Sequence, residues 1–211
     1  MKYQGIKHII TVCLGVCTLI ACNDNLEIAP PSSIIPEDYL KEESQLDSYI
    51  INRYTGLPNS GGGVGLDNGT DNEAGMDFST KYTDGDWKVG ETGGEWNFEE
   101  IYQLNYFLDR VLPMYQNGEI SGSKENIEHY IGEAYLLRAV AYYNKLVSLG
   151  DFPIVRHTFV DDKQQLTEAS KRMPRNEVAR FIISDLDSAA VLMKSTAPDG
   201  KKNRMYKDIA Y

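Results

Sequence analysis

The chain has 211 residues, 42% of them hydrophobic and 25% charged, which is ordinary globular composition and enough length for one or two domains. Its formal charge is −10, and so acidic a surface repels phosphate backbones and argues against nucleic acid as a partner. Residues 1–21 carry Lys2 and Lys7 and no acid, so the chain beyond them is more acidic still.

The N-terminus runs from these lysines through the apolar stretch Ile9 to Ala21 and stops at Cys22. As a helix that stretch would span about 20 Å, short of the roughly 30 Å hydrocarbon core, so it reads as an export signal and not as a membrane span. Cys13 and Cys17 lie inside the signal, which leaves Cys22 as the only thiol of the exported chain, with no disulfide partner. The stretch Leu19-Ile20-Ala21-Cys22 resembles a bacterial lipobox, in which the cysteine is acylated and becomes the new N-terminus. Two or three acyl chains give stable anchoring at about 0.8 kcal/mol per buried CH₂. An ordinary signal peptide with a chance cysteine is the plainer alternative.

Residues 22–36 hold three prolines and no helical period, which predicts an extended tether. A first helix is expected to begin near Glu37, with Asp38 and Glu42 at its positive end. Its stripe is Tyr39, Leu46, Tyr49, Ile50 and Tyr54, and it ends at Gly56 and Pro58. Residues 59–95 are rich in glycine and acid, with Tyr82 and Trp87 inside and Trp96 just beyond. So long an irregular segment is usually functional or disordered, and its tryptophan argues against plain disorder. Asp84-Gly85 could turn a short hairpin there.

Three helical patterns follow. Over 98–115, Ile101, Leu104, Leu108, Val111 and Leu112 make one apolar stripe. Over 124–149 acids crowd the first turn, Gly150 stands where a helix-ending glycine belongs, and Ala134, Ala139 and Ala141 allow close approach on more than one side. After a turn and a short extended piece at 150–155, a third helix is predicted over 175–193, with Pro174 near its start and Val178, Phe181, Ile182, Leu186, Ala189 and Leu192 inward.

No catalytic constellation emerges. Beyond the signal the histidines are His129 and His157, neither in a nucleophile motif, and no G-x-S-x-G occurs. The glycine run at 61–69 lacks both the P-loop lysine and the dinucleotide spacing. Asp67, Asp71, Glu73 and Asp77 cluster but miss the EF-hand pattern at Gly69, Asn72 and Phe78, so no metal or other cofactor is assigned, with calcium as the one candidate. Asp84 and Asp86 are close carboxylates, yet sequence proximity says nothing of their separation across a sugar. The aromatic residues are more telling, because ring faces stack on sugars or peptide side chains while Asp and Asn bind hydroxyls. Trp87 and Trp96 are therefore candidate ligand contacts with Asp71 and Asn72. The alternative for both tryptophans is that they pin the loop to the helices.

The stretch 132–155 carries Glu133, Ala134, Leu137, Arg138, Ala139 and Tyr142, then Leu146, and then Gly150, Asp151 and Pro153. This resembles the SusD/RagB family helix E-A-x-x-L-R-A-x-x-Y-x-x-L followed by G-D-x-P, with Leu146 one position late. Residues 26–32 are similar to the family's proline-bearing N-terminal segment. Trp96, Tyr102 and Asn105 match its W-x₄₋₅-Y-x-x-N helix. Arg172, Val178, Ile182, Asp185, Leu186 and Ala189 match a further helix.

The resemblance implies a mostly α fold, a tetratricopeptide-like helical-repeat scaffold over 37–211 with the long irregular loop at 59–95 and a few short strands. Family members run to about twice this length, so the chain is expected to be truncated within the third helical repeat. The implied function is nutrient capture by a surface-exposed lipoprotein of a Bacteroidetes-type outer membrane, lipid-anchored through Cys22. Such a protein serves as the lid of a SusC-like TonB-dependent transporter, delivers oligosaccharides to it and performs no covalent chemistry. A peptide-binding RagB-type member, a helical-repeat scaffold that binds only protein, and a surface glycosidase are the rival readings.

Overall fold

The computed structural model describes residues 39–56, 96–198, 200 and 204–210. The described residues from Leu40 onward belong to one compact unit. Five α-helices occur among them: α1 Glu43–Ile51, α2 Glu99–Gln116, α3 Lys124–Leu149, α4 Lys163–Ala169 and α5 Arg175–Leu192. A 3-10 turn, Asn52–Gly56, extends α1, and another spans Lys207–Ala210. No strand forms among the described residues, and the short hairpin expected at Asp84-Gly85 lies outside them. There are only two isolated bridges, Glu42 with Ser121 and Phe152 with Met173. Phe152 pairs with the Met173 backbone at one residue only, and at Val155 side chains take the place of a second strand, as described below. No described helix is long and apolar enough to cross a membrane.

The axis of the fold is α3, which packs against α1, α2 and α5. Its buried positions, among them Ile127, Tyr130, Ile131, Ala134, Leu136, Leu137, Ala139 and Ala141, run round the helix, as they must when partners lie on several sides. Small residues permit this. At Gly132 a side chain has no room: a Cβ there would stand 2.5 Å from Met193 Cγ and 3.1 Å from the Met193 backbone nitrogen. The helices α2 and α5 each bury a single stripe, the first through Ile101, Leu104, Phe107, Leu108 and Val111, the second through Val178, Phe181, Ile182 and Ala189. Leu112 and Leu186 lie half-buried at the margins of those stripes.

The first helix starts at Glu43, later than the position near Glu37 that its acids suggest. Leu40 adopts a left-handed φ of 69°, and the backbone then pairs with the α2–α3 connection through Ser121 N–H to Lys41 O (2.8 Å) and Glu43 N–H to Ser121 O (2.9 Å). A helical Lys41 could not make that bridge. Glu43 then accepts from Ser123 N–H and from Asn126 Nδ2, both at 2.7 Å, so a carboxylate of α1 sits at the positive end of α3.

A buried polar cluster ties the C-terminal segment to α1 and α3. Arg204 donates Nε and Nη2 to Glu133 at 2.9 Å each and also pairs with Asp47 of α1. Tyr54 donates its hydroxyl to Glu133 (2.6 Å) and accepts from Met205 N–H (3.0 Å). Burial first, and then the Glu133 charge, push the Tyr54 phenol well above its ordinary range, so it stays a donor. His129 is fully buried beside this cluster, and its Nδ1 accepts from Lys194 N–H at 3.0 Å. That bond assigns the ring proton to Nε2, which lies 3.4 Å from Glu133 Oε1. His129 is thus a joint between α3 and the end of α5.

Because Gly132 sits against Met193 and Leu192, Gly132→Leu is expected to lower stability by about 1–3 kcal/mol or more through overpacking, read by chemical denaturation. An unchanged midpoint would show that α5 can move away from α3 without cost.

Candidate functional site

The surface worth attention begins where α3 ends. Gly150, at φ 75°, stops the helix, and Pro153 keeps the next residues extended. Phe152 exchanges both backbone hydrogen bonds with Met173 (3.2 and 3.1 Å), and Asp151 Oδ1 accepts from Arg175 N–H at 2.8 Å. Asp151 thereby satisfies an otherwise unpartnered donor at the start of α5, where Pro174 has no side-chain acceptor to offer.

One buried network holds this extended wall against the helices. Val155 donates its N–H to the Tyr142 hydroxyl (2.8 Å), and its carbonyl accepts from that hydroxyl (3.0 Å) and from Asn105 Nδ2 (2.8 Å). Asn105 in turn accepts from Arg138 Nη1 at 2.8 Å. Arg138 donates its other two prongs to Asp185, Nε at 2.7 Å and Nη2 at 2.8 Å. Burial pushes the Asp185 carboxyl up, and Arg138 pulls it back part of the way. Burial likewise pushes the Tyr142 phenol up to about 12, which keeps it protonated. Aromatic rings close the network: Tyr142 meets Phe181 edge-on at 4.8 Å, and Phe98 stacks on Phe152 at 4.9 Å.

The wall continues outward through Asp109 of α2. Its Oδ2 accepts from Thr158 N–H (2.7 Å) and the Thr158 hydroxyl (3.0 Å), and its Oδ1 lies 2.7 Å from His157 Nδ1. Beyond it, α4 starts at Asp162, whose side chain accepts from Gln165 N–H at 2.7 Å. None of its residues is buried. Two concave surfaces meet along this wall. One is an apolar groove of about 320 Å³ lined chiefly by Phe98, Ile101, Tyr102, Phe159, Leu166 and Ala169, in which Tyr102 and Leu166 are 49% and 43% exposed. The other is a mixed cleft of about 900 Å³ whose lining sets Ile154 and Phe159 beside Arg156, Asp162, Gln165 and Glu168. Rings and hydrogen-bonding side chains side by side suit recognition of a ligand that is part apolar and part polar. Among the described residues no group of three or more His, Cys, Asp or Glu side chains could hold a metal ion.

Of the residues singled out from sequence, Cys22, Asp71, Asn72 and Trp87 lie outside the described residues, as do the cluster from Asp67 to Asp77 and the pair Asp84 and Asp86. Trp96 is described and half-buried: it stacks on Phe152 at 5.7 Å, with the Arg172 guanidinium 4.4 Å from its ring centre. It holds the entry to α2, the role weighed against ligand contact. His157 stands exposed on the wall. Asp109 and Arg156 carried no sequence signal, and the α4 helix carried none because it buries no stripe.

The fold defines a helical-repeat scaffold of tetratricopeptide-like pairing with a concave surface along the wall that follows α3. No family model matches the chain. Two curated relatives, both SusD-like proteins of Formosa agariphila, are 24% and 26% identical to it over 96% and 94% of its length. The crystal structure of a SusD-like protein from Bacteroides fragilis superposes with a TM-score of 0.58, at 18% identity and over 87% of this chain. The chain is thus similar to SusD-like proteins along nearly its whole length and shares their fold. It spans about two fifths of the length of the curated relatives it matches, 41% and 39%, and 36% of that crystal structure.

Arg138→Ala would leave Asp185 buried without its partner. It is expected to cost about 3–5 kcal/mol in thermal or chemical denaturation, more than the roughly 1–3 kcal/mol of Asn105→Ala. Equal losses for the two would mean that the Arg138–Asp185 pair is not the stronger tie.

Proposed function

We propose that the protein is a surface-exposed, lipid-anchored nutrient-binding protein of an outer membrane. It captures oligosaccharides and passes them to a SusC-like TonB-dependent transporter, on which it acts as a lid. The observation that carries this reading is the likeness to SusD-like proteins over nearly the whole chain, joined to the placing of the shared motif residues. Asn105, Arg138, Tyr142, Asp151 and Asp185 all serve to hold the wall and its concave surface in position. In this reading Cys22 bears the lipid. Asp71, Asn72 and Trp87 contact the ligand, and Trp96 packs at the entry to α2. Binding without covalent chemistry, through ring stacking and hydroxyl hydrogen bonds, gives modest affinity and quick release, which suits a protein that hands its ligand on.

A glycan and peptide array on the full chain, followed by calorimetry, tests the reading. An oligosaccharide is expected to bind and to be recovered undegraded, with Trp87→Ala weakening it by about 1–3 kcal/mol. Degradation of the glycan would point to a glycosidase, binding of peptides alone to a peptide receptor, and co-purification with a transporter barrel without any ligand to a scaffold.

The anchor is tested separately. Cys22→Ala is expected to remove the lipid mass and release the protein from membranes. A wild-type protein with no lipid would remove the ground for a surface location.

A further inference from the structure

We infer that Arg156 fits this surface to oligosaccharides bearing a carboxylate or sulfate group, an inference that rests on the glycan-binding reading above. Arg156 is exposed and stands where the mixed cleft meets a second hollow of about 320 Å³, formed with Ile154, Met173, Glu177, Arg180 and Phe181. Its guanidinium carbon lies 4.4 Å from the centre of the Phe181 ring. A guanidinium stacked on a ring keeps its N–H fork free for two parallel bonds to a pair of anionic oxygens, whether of a carboxylate or of a sulfate.

The charged side chains that line the two hollows with it already have partners. Arg180 pairs with Glu177, Lys171 with Glu168 at 2.6 Å, and His157 with Asp109 at 2.7 Å. Asp162 is engaged at the start of α4. Asp185, which feels the Arg156 charge, is held by both prongs of Arg138. Among the described residues no carboxylate pairs with Arg156. In a chain of formal charge −10, a ring-backed cation without a partner, at the junction of two hollows, is a directed site for a ligand anion.

The rest of the cleft suits the remainder of a sugar. Gln164 and Gln165 line it with amides that can both donate to and accept from hydroxyls, and the rings of Phe159 and His157 offer faces for stacking. The Ile154 backbone N–H and carbonyl make no hydrogen bond among the described residues, which adds a donor and an acceptor beside Arg156.

The test is calorimetry of the full chain with oligogalacturonate, a sulfated carrageenan oligosaccharide and neutral α- and β-glucan oligosaccharides of matched length, at low and physiological salt. At least one anionic sugar is expected to bind tenfold or more tighter than the neutral ones, with the margin narrowing as salt rises. The carboxylated and sulfated arms tell which anion is meant. Arg156→Gln should lose tenfold or more for the anionic sugar, leave any neutral binding and the melting temperature unchanged, and be partly rescued by Arg156→Lys.

Binding confined to neutral glycans, or anionic affinity unchanged in Arg156→Gln, would overturn the inference and leave the glycan-binding reading standing. Binding of an acidic peptide through Arg156, with no anionic sugar bound, would overturn the sugar assignment. Failure of every glycan on a broad array would bring down the glycan-binding reading itself, and this inference with it.

Discussion

The burial of one guanidinium, that of Arg138, is the constraint on which the rest depends. A buried charge is tolerable only with a partner charge and a full set of hydrogen bonds, and here those come from three places at once. Asp185 supplies the counter-charge from α5, Asn105 supplies an acceptor from α2, and α3 carries the arginine itself. A slip of either neighbouring helix along α3 would strand an ion in the core. The network therefore fixes register more firmly than the apolar stripes, which could slide by a turn and still bury leucines. Asn105 also reaches the wall through Val155, so the same tie that aligns the helices sets the depth of the surface outside them.

Much of this fold was legible because three helices obey simple periods. The stripes of α2 and α5 are one-sided and regular, and Gly150 marks the end of α3 unambiguously. The start of α1 was not legible, since the bridge through Ser121 depends on a residue about eighty positions away. The α4 helix was invisible for the opposite reason: all its side chains face outward or half-outward, so it leaves no pattern to read. Arg138, Asn105 and Asp185 could be picked out as shared motif letters, but nothing in their spacing says that they touch. Sequence resemblance named the residues, and geometry gave them a task.

The same division explains why the site was harder to read than the scaffold. A wall such as 154–159 draws its shape from contacts made behind it, by Tyr142, Asn105 and Asp109, while the residues in front are ordinary surface types in sequence. Arg156 is indistinguishable from any exposed arginine until its neighbours are seen to be paired with one another. Trp96 shows the converse. A tryptophan beside a glycine-rich stretch invites a ligand role, yet the described ring is occupied by Phe152 and Arg172.

The clasp of Arg204 on Asp47 and Glu133 bears on how the molecule comes into being. The ion pair to α1 joins residues 157 apart, and the hydroxyl bond from Tyr54 to Met205 joins residues 151 apart. A chain made from its N-terminus completes α1 early and can bridge it to Ser121 and Ser123, but the Arg204 clasp must wait until residue 204 has emerged. In the interval Glu133 is a carboxylate without its cation, on a helix whose partners α2 and α5 can already gather round it. Among the described helices, α1 thus waits longest for this one tie. Contacts of such long separation are slow steps of folding, so this clasp forms late, after the shorter-range ties of α1.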